Sequence, residues 1–289
     1  MGRVVYLHPR REMRAEGECR LSRAHFAKIA RVLRQDAGFE LSEAMAAEVQ
    51  GRLSARLRSI GCADFDQYCS IIAAPGAETE REQMLHALAL GPRTLFQAPL
   101  TLERLQGELL APLIERARAG ERVRLWCPDC VRGEDPYAVG LALLDIFPRA
   151  PSLDLRILAT EPDLLSVAAA RAGAYRSEHL AHVPAGLRRR WMVPPPHSSG
   201  RWRMGPEFQN FIRFRRLALE DPWPMRMNFN AIFLGDALLA FDARARALLF
   251  QRLARQLAPS GFLHAGPGDH VPGDWFEQAG PMVYHSKAH

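Results

Sequence analysis

Two thiols and three carboxylates lie near one another in the middle of the chain: Cys127 and Cys130 in Trp126-Cys-Pro-Asp-Cys130, Glu134 and Asp135 after Gly133, and Glu161 further on. A Cys-x-x-Cys pair between a strand and a helix is a redox motif when the helix N-terminus lowers a thiol pKa. Here the loop through Gly133 separates Cys130 from the helix start, which weighs against that reading. Zinc finds no second cysteine pair to complete its ligands. Gly133-Glu-Asp-Pro136 opens a helix behind a strand, where main-chain N–H groups point into the crevice in which α/β sheets bind small ligands. Glu161, at the tip of the next strand, is placed to accept hydrogen bonds from both hydroxyls of a ribose, or simply to cap the helix that follows.

These residues need a sheet to carry them. Val123 to Trp126 and Leu153 to Thr160 are short apolar runs that read as buried strands, and Pro162 suits a helix start. Strand Phe229–Leu234, helix Ala243–Leu257, the Pro259-Ser-Gly261 turn, strand Phe262–Ala265 and a last strand near Met282–His285 continue the alternation, which predicts a mostly parallel sheet. Between them, residues 176–212 change character, with Arg188-Arg-Arg190, Pro194-Pro-Pro196 and β-like runs at Arg201–Met204 and Phe211–Phe214. They read as a small inserted β-subdomain. Upstream, residues 1–20 form a basic tail carrying Arg3, Arg10, Arg11 and Arg14, and residues 21–90 show helical spacing (Phe26, Ile29, Val32, Leu33; Met45, Val49, Leu53, Leu57; Phe65, Tyr68, Ile71, Ile72). Gly38 and Gly61 are expected stops, residues 91–101 with Gly91-Pro92 a linker, and a helix over 102–118 leads into the first strand of the 102–289 unit.

The net charge is +6, carried by arginine, since Lys28 and Lys287 are the only lysines. Arg52, Arg56 and Arg58 fall close together on one helix, where like charges repel by a few tenths of a kcal/mol. They are either a solvated face or a docking strip for an acidic partner helix. No helix-turn-helix, zinc-finger or RNA-binding signature accompanies the positive charge, so nucleic acid is not an expected partner. No apolar run approaches the roughly 20 residues of a membrane span, and the first residues lack a signal peptide's apolar block, so the expected location is the cytoplasm.

Five ordered stretches resemble the chemotaxis-receptor methyltransferases of the CheR type. Arg52-Leu-Ser-Ala-Arg-Leu-Arg-Ser-Ile-Gly through Phe65 and Tyr68 is similar to R-L-x-x-R-L-R-x-L-G-x-x-x-F-x-x-Y, and Trp126 to Tyr137 resembles W-S-A-G-C-S-T-G-E-E-P-Y. Ile157-Leu-Ala-Thr-Glu161 through Tyr175 resembles I-x-A-T-D and A-x-x-G-x-Y. Phe229 to Phe233 resembles F-D-V-I-F, and Leu257 to Gly266 resembles L-x-P-G-G-Y-L-x-x-G. The resemblance implies a Rossmann-like class I methyltransferase fold of the α/β class, with a mostly parallel doubly wound sheet, an N-terminal all-helical domain and the inserted β-subdomain. It also implies methyl transfer from S-adenosylmethionine, with S-adenosylhomocysteine as product, to a glutamate of a receptor's helical signalling domain. Such a carboxylate is already ionised at neutral pH, so alignment matters more than a general base.

Carried over by position, the resemblance assigns cofactor contact to Arg93, Gly133, Glu134, Asp135, Glu161, Leu219 and Asp236, and partner contact to Arg52, Arg56 and Arg58. Polar family positions are nevertheless replaced. Gly91 and Arg93 stand for an asparagine and a threonine, Gln97 for the arginine near the reacting centre, Val131 and Arg132 for a serine and a threonine, and Ala218 for an asparagine. Leu234 to Phe241 lacks the family's arginine, asparagine and tyrosine. Each lost hydrogen bond weakens binding by roughly 0.5–1.5 kcal/mol. The expectation is therefore a methyltransferase fold with reduced or lost cofactor binding, acting through receptor-like or signalling partners with an acidic helical surface. The alternatives are a working glutamate methyltransferase and, because Arg93 and Arg132 add positive charge near the pocket, a site for an anionic nucleotide.

Overall fold

The computed structural model describes residues 20–37, 41, 43–88, 95–96, 101–195, 200–238, 241–266 and 269–287. The N-terminal unit consists of α1 (Arg23–Ala37), α2 (Ala46–Ser59), α3 (Phe65–Ala73) and α4 (Glu78–Ala87). Its helical spacing translates directly into burial: Ile29 and Leu33, Val49 and Leu53, and Phe65, Tyr68 and Ile72 meet in one apolar cluster. Asp64 starts α3 by accepting a hydrogen bond from the Gln67 N–H at 2.8 Å. Gly61 follows α2 as expected; Gly38, the 1–19 tail and the Gly91-Pro92 linker lie outside the described residues.

α5 (Leu102–Arg104), a π-helical stretch Leu105–Leu110 and α6 (Ala111–Arg118) run together over the expected helix, and β1 (Val123–Cys127) follows. Then come α7 (Glu134–Ile146), β2 (Leu155–Glu161), α8 (Leu164–Ala172), β3 (Ala174–Arg176), α9 (Ala185–Trp191), β4 (Met192–Val193), β5 (Arg201–Met204), α10 (Glu207–Phe211) and β6 (Ile212–Arg216). β7 (Phe229–Phe233), α11 (Ala243–Gln256), β8 (Leu257–His264), β9 (Phe276–Gly280) and β10 (Val283–Ser286) complete the order. The main sheet runs β6-β2-β1-β7-β8-β10-β9. It is parallel from β6 to β8, and β10 pairs antiparallel with both β8 and β9. The chain steps outward from β1 to β2 and β6, then returns to β7 on the other side of β1. That reversal opens a crevice at the C-terminal ends of β1, β2 and β7.

The insert is smaller than its sequence suggests. Its antiparallel sheet, β3-β5-β4, contains the expected Arg201–Met204 run. The second expected run is instead β6, the edge of the main sheet, because Ile212 and Phe214 alternate into the core and the strand pairs parallel to β2. β9 escaped the sequence reading because only Phe276 is buried along it.

The helical unit rests on α8. Leu165 and Ala169 join its apolar cluster, so one core spans both units. Arg52 of α2 grips the cap of that same helix. Its Nη2 reaches Asp163 Oδ1 at 2.7 Å, and its Nη1 reaches Asp163 Oδ2 at 3.2 Å and the Leu88 carbonyl at 2.7 Å. Asp163 in turn accepts the Ser166 N–H at 2.9 Å and the Ser166 hydroxyl at 2.6 Å. Burial pushes the Asp163 pKa up, but Ser166 and Arg52 outweigh it and hold the carboxyl below its ordinary range. Asp163→Ala removes a helix cap and one half of a partly buried bidentate pair. Urea unfolding is expected to show a loss of about 2–3 kcal/mol, against a smaller loss for Asp163→Asn, which keeps the capping oxygen.

Candidate functional site

Residues 128–133 close over the tip of β2 in an alternating conformation: Asp129 and Val131 have φ of 50° and 48°, and Gly133 has φ of 88°. Left-handed backbone at two non-glycine residues costs about 1–2 kcal/mol each. Gly133 is required, because a Cβ there would stand 3.0 Å from the Tyr137 ring and 3.2 Å from that of Phe214. Alternation of this kind turns successive N–H groups inward to form an anion-binding nest. The group it holds is the chain's own carboxyl. Glu161 Oε2 accepts the Val131 N–H at 2.9 Å, Glu161 Oε1 accepts the Asp163 N–H at 3.1 Å, and the Cys130 N–H donates to the Thr160 carbonyl at 3.0 Å. Glu161 is only 4% exposed, and burial, with the charge of Asp129 adding to it, pushes its pKa up to about 9.

The loop is fastened on both sides. The Tyr175 hydroxyl donates to the Arg132 carbonyl at 2.7 Å, and the Tyr137 hydroxyl donates to the Ala170 carbonyl at 2.8 Å. The Arg132 guanidinium lies 6.0 Å over the Tyr175 ring, so it is turned onto the loop's own support. Trp126 Nε1 donates to Thr160 Oγ1 at 2.9 Å, joining the strands that carry the loop and Glu161. Glu134 is buried in the first turn of α7, and its Oε2 accepts the Arg132 N–H at 3.1 Å. Asp135 lies against Gly235 beyond β7, where a Cβ would stand 2.5 Å from its Oδ2. Asp236 is exposed beside it, and Asp269, which accepts the Gly266 N–H at 2.8 Å, feels its charge.

The structure thus brings Gly133, Glu134, Asp135, Glu161 and Asp236 to the expected crevice. Leu219 lies differently: its side chain is buried against the α11 side of the sheet and its carbonyl accepts from Trp223 and Arg252, leaving any ligand contact to its main chain. Arg93 and Gln97 lie outside the described residues. Sequence reading missed Asp163 and Asp129. Asp163 carried a signal, an acid directly before a helix and two residues after Glu161. It also missed His264, fully buried at the end of β8 with its pKa pushed down to about 4 by burial and by Arg104.

Internal carboxylates hold two of the three α2 arginines: Arg52 pairs with Asp163, and Arg56 pairs with Glu80 at 2.6 and 3.1 Å. Arg58 remains exposed. The thiols of Cys127 and Cys130 are free, 1% and 4% exposed, and burial drives both pKa values well above the ordinary one. A reactive thiol needs the opposite shift and access to solvent, so the redox reading falls. Among the described residues no group of side chains suits a metal ion, and no helix is long and apolar enough to cross a membrane.

This geometry can be set beside known proteins. Residues 94–284 match the family model of the CheR methyltransferase SAM-binding domain, and residues 24–89 match the CheR methyltransferase all-alpha domain. The chain belongs to the CheR methyltransferase family. It is similar to a probable chemotaxis protein methyltransferase of Rhizobium etli, with 32% identity over 83% of this chain and 90% of the relative. The chemotaxis protein methyltransferase of Escherichia coli K12 is 30% identical over 86% of this chain and 85% of its own. Chemotaxis protein methyltransferase 2 of Pseudomonas aeruginosa is 28% identical over 88% and 89%.

For a CheR-family fold built around a buried acid, stability should track the proton on Glu161. Above the ordinary carboxyl value of 4.5 the unfolded state releases that proton, while the folded state keeps it up to about 9. The unfolded state thus gains as pH rises. His264 opposes this only below 6.5, its ordinary value, where the unfolded state binds a proton that the folded state refuses down to about 4. Denaturant titrations between these two limits, from 6.5 to 9, should show stability falling by up to about 1.4 kcal/mol per pH unit. Glu161→Gln should flatten that slope.

Proposed function

We propose that this CheR-family chain binds S-adenosylmethionine weakly, has reduced or lost methyl transfer, and acts by binding a receptor-like signalling partner with an acidic helical surface. One observation carries the reading. The carboxyl group standing where the ribose would be held is buried, protonated at neutral pH and turned to the Val131 and Asp163 N–H groups. A ribose would have to draw both oxygens away from main-chain donors, and the nest that they fill would open.

The rest of the crevice still fits the cofactor's charge. S-adenosylmethionine supplies a methyl group on a positive sulfonium, and Asp135, Asp236 and Asp269 bring carboxylates to the β7 and β8 side. Gly133 and Glu134 would hold the loop side, and the main chain at Leu219 the far side. The same carboxylates disfavour the anionic-nucleotide alternative, because they repel a phosphate where Arg132 is turned onto Tyr175.

Calorimetric titration with S-adenosylmethionine and S-adenosylhomocysteine is expected to give Kd values weaker than about 100 µM. A radiolabelled methyl-transfer assay on a chemoreceptor signalling domain should show transfer at least about a hundredfold below that of an active family member. Micromolar binding with comparable transfer would overturn the proposal in favour of a working enzyme. Glu161→Asp, one methylene shorter, withdraws the carboxylate from the nest and is expected to tighten S-adenosylhomocysteine binding roughly tenfold.

A further inference from the structure

With Arg52 and Arg56 held by internal carboxylates, the exposed positive charge lies elsewhere. β6 carries Arg213, Arg215 and Arg216 in five residues, all exposed, while Ile212 and Phe214 face the core. Arg171 reaches the same strand from the last turn of α8. As an edge strand, β6 turns alternate carbonyls away from β2, and arginines cover them. Phe214 O accepts from both Arg171 Nη2 and Arg215 Nη1 at 3.0 Å, and Arg213 Nη1 donates to the Ile212 and Gln209 carbonyls. Among the described residues, no ion pair involves Arg171, Arg213 or Arg215. They rim a cavity of about 260 Å³ walled by Tyr137, Phe208 and Phe214, with no acid in its lining.

We infer that this edge is the docking strip for an acidic protein helix that seats an apolar side chain in the cavity between the arginines. The inference rests on the reading that the chain works by binding an acidic helical partner, and it moves the contact from α2 to β6. Carbonyls occupied by guanidinium groups do not accept an added strand, so the partner is read by side chains rather than by β-pairing. Arg213 and Arg215, two residues apart on a strand, are spaced by roughly 7 Å. Acids at i and i+4 of a helix rise by about 6 Å, so the two spacings match. Arg213 and Arg215, without an ion pair among the described residues, repel one another, and carboxylates from a partner would relieve that cost. The strip leads to the crevice, because Arg216 at its C-terminal end pairs in register with Glu161.

The test uses the full chain and a fluorescein-labelled 20-residue helical peptide with glutamates at i, i+4 and i+8 and one leucine between them. Fluorescence anisotropy should show binding that weakens as salt rises, with at least about tenfold loss in the same peptide carrying glutamine for glutamate. The double variant Arg213→Glu/Arg215→Glu should lose at least about tenfold, and Arg58→Glu less than about twofold. Arg213→Gln/Arg215→Gln, with an unchanged melting temperature and an intermediate loss, would show that charge and not folding is responsible. Equal binding of both peptides, an unchanged affinity of the charge-reversed variant, or tighter binding of a single-stranded oligonucleotide of the same charge would overturn the strip. These readouts stand apart from the cofactor titration, so tight S-adenosylmethionine binding would end the proposed loss of activity without touching the peptide result.

Discussion

Everything near the crevice hangs on Asp163. Its side chain caps α8, accepts from both terminal guanidinium nitrogens of Arg52 and from the Ser166 hydroxyl, while its main-chain N–H donates to Glu161. A carboxylate this buried stands only because each of its oxygens is satisfied. The helical unit, the helix after β2 and the acid at the tip of β2 are therefore held in one hydrogen-bonded chain. Glu161 then passes the constraint to the Val131 N–H and so to the whole loop after β1.

That chain explains how the framework of the loop is held. Trp126, Gly133, Pro136 and Tyr137 keep their places because they pack or permit the backbone: Trp126 joins β1 to β2, and Gly133 alone fits under the Tyr137 and Phe214 rings. Asp129 and Val131 adopt left-handed backbone, and the Val131 N–H is aimed at Glu161. Backbone strain in the loop is offset by a contact made within the chain, and a ligand would have to replace that contact on better terms.

Much of the fold was legible because its signals are local. Apolar runs of strand length, acids and Pro136 at the start of α7, and helical spacing in residues 21–90 each speak for the element in which they lie. The crevice followed from strand order alone. What could not be read was partnership across the chain: Arg52 and Asp163 are 111 residues apart, and nothing at either position names the other. Three arginines at helical spacing look alike in sequence, yet two are half-buried and held in ion pairs and one is exposed. β6 was misplaced because alternation identifies a strand without saying which sheet it joins, and β9 was missed because it scarcely alternates.

The shared core of α8 and the helical unit has a consequence for how such proteins diversify. Leu165 and Ala169 are packed among residues of α1 to α4, and Arg52 crosses to the cap of their helix. The N-terminal helices are therefore no detachable adaptor that evolution or an engineer can graft from one relative onto another. A transplanted helical unit must bring its own matching socket for α8, and its surface is bound to change together with the wall of the crevice behind it.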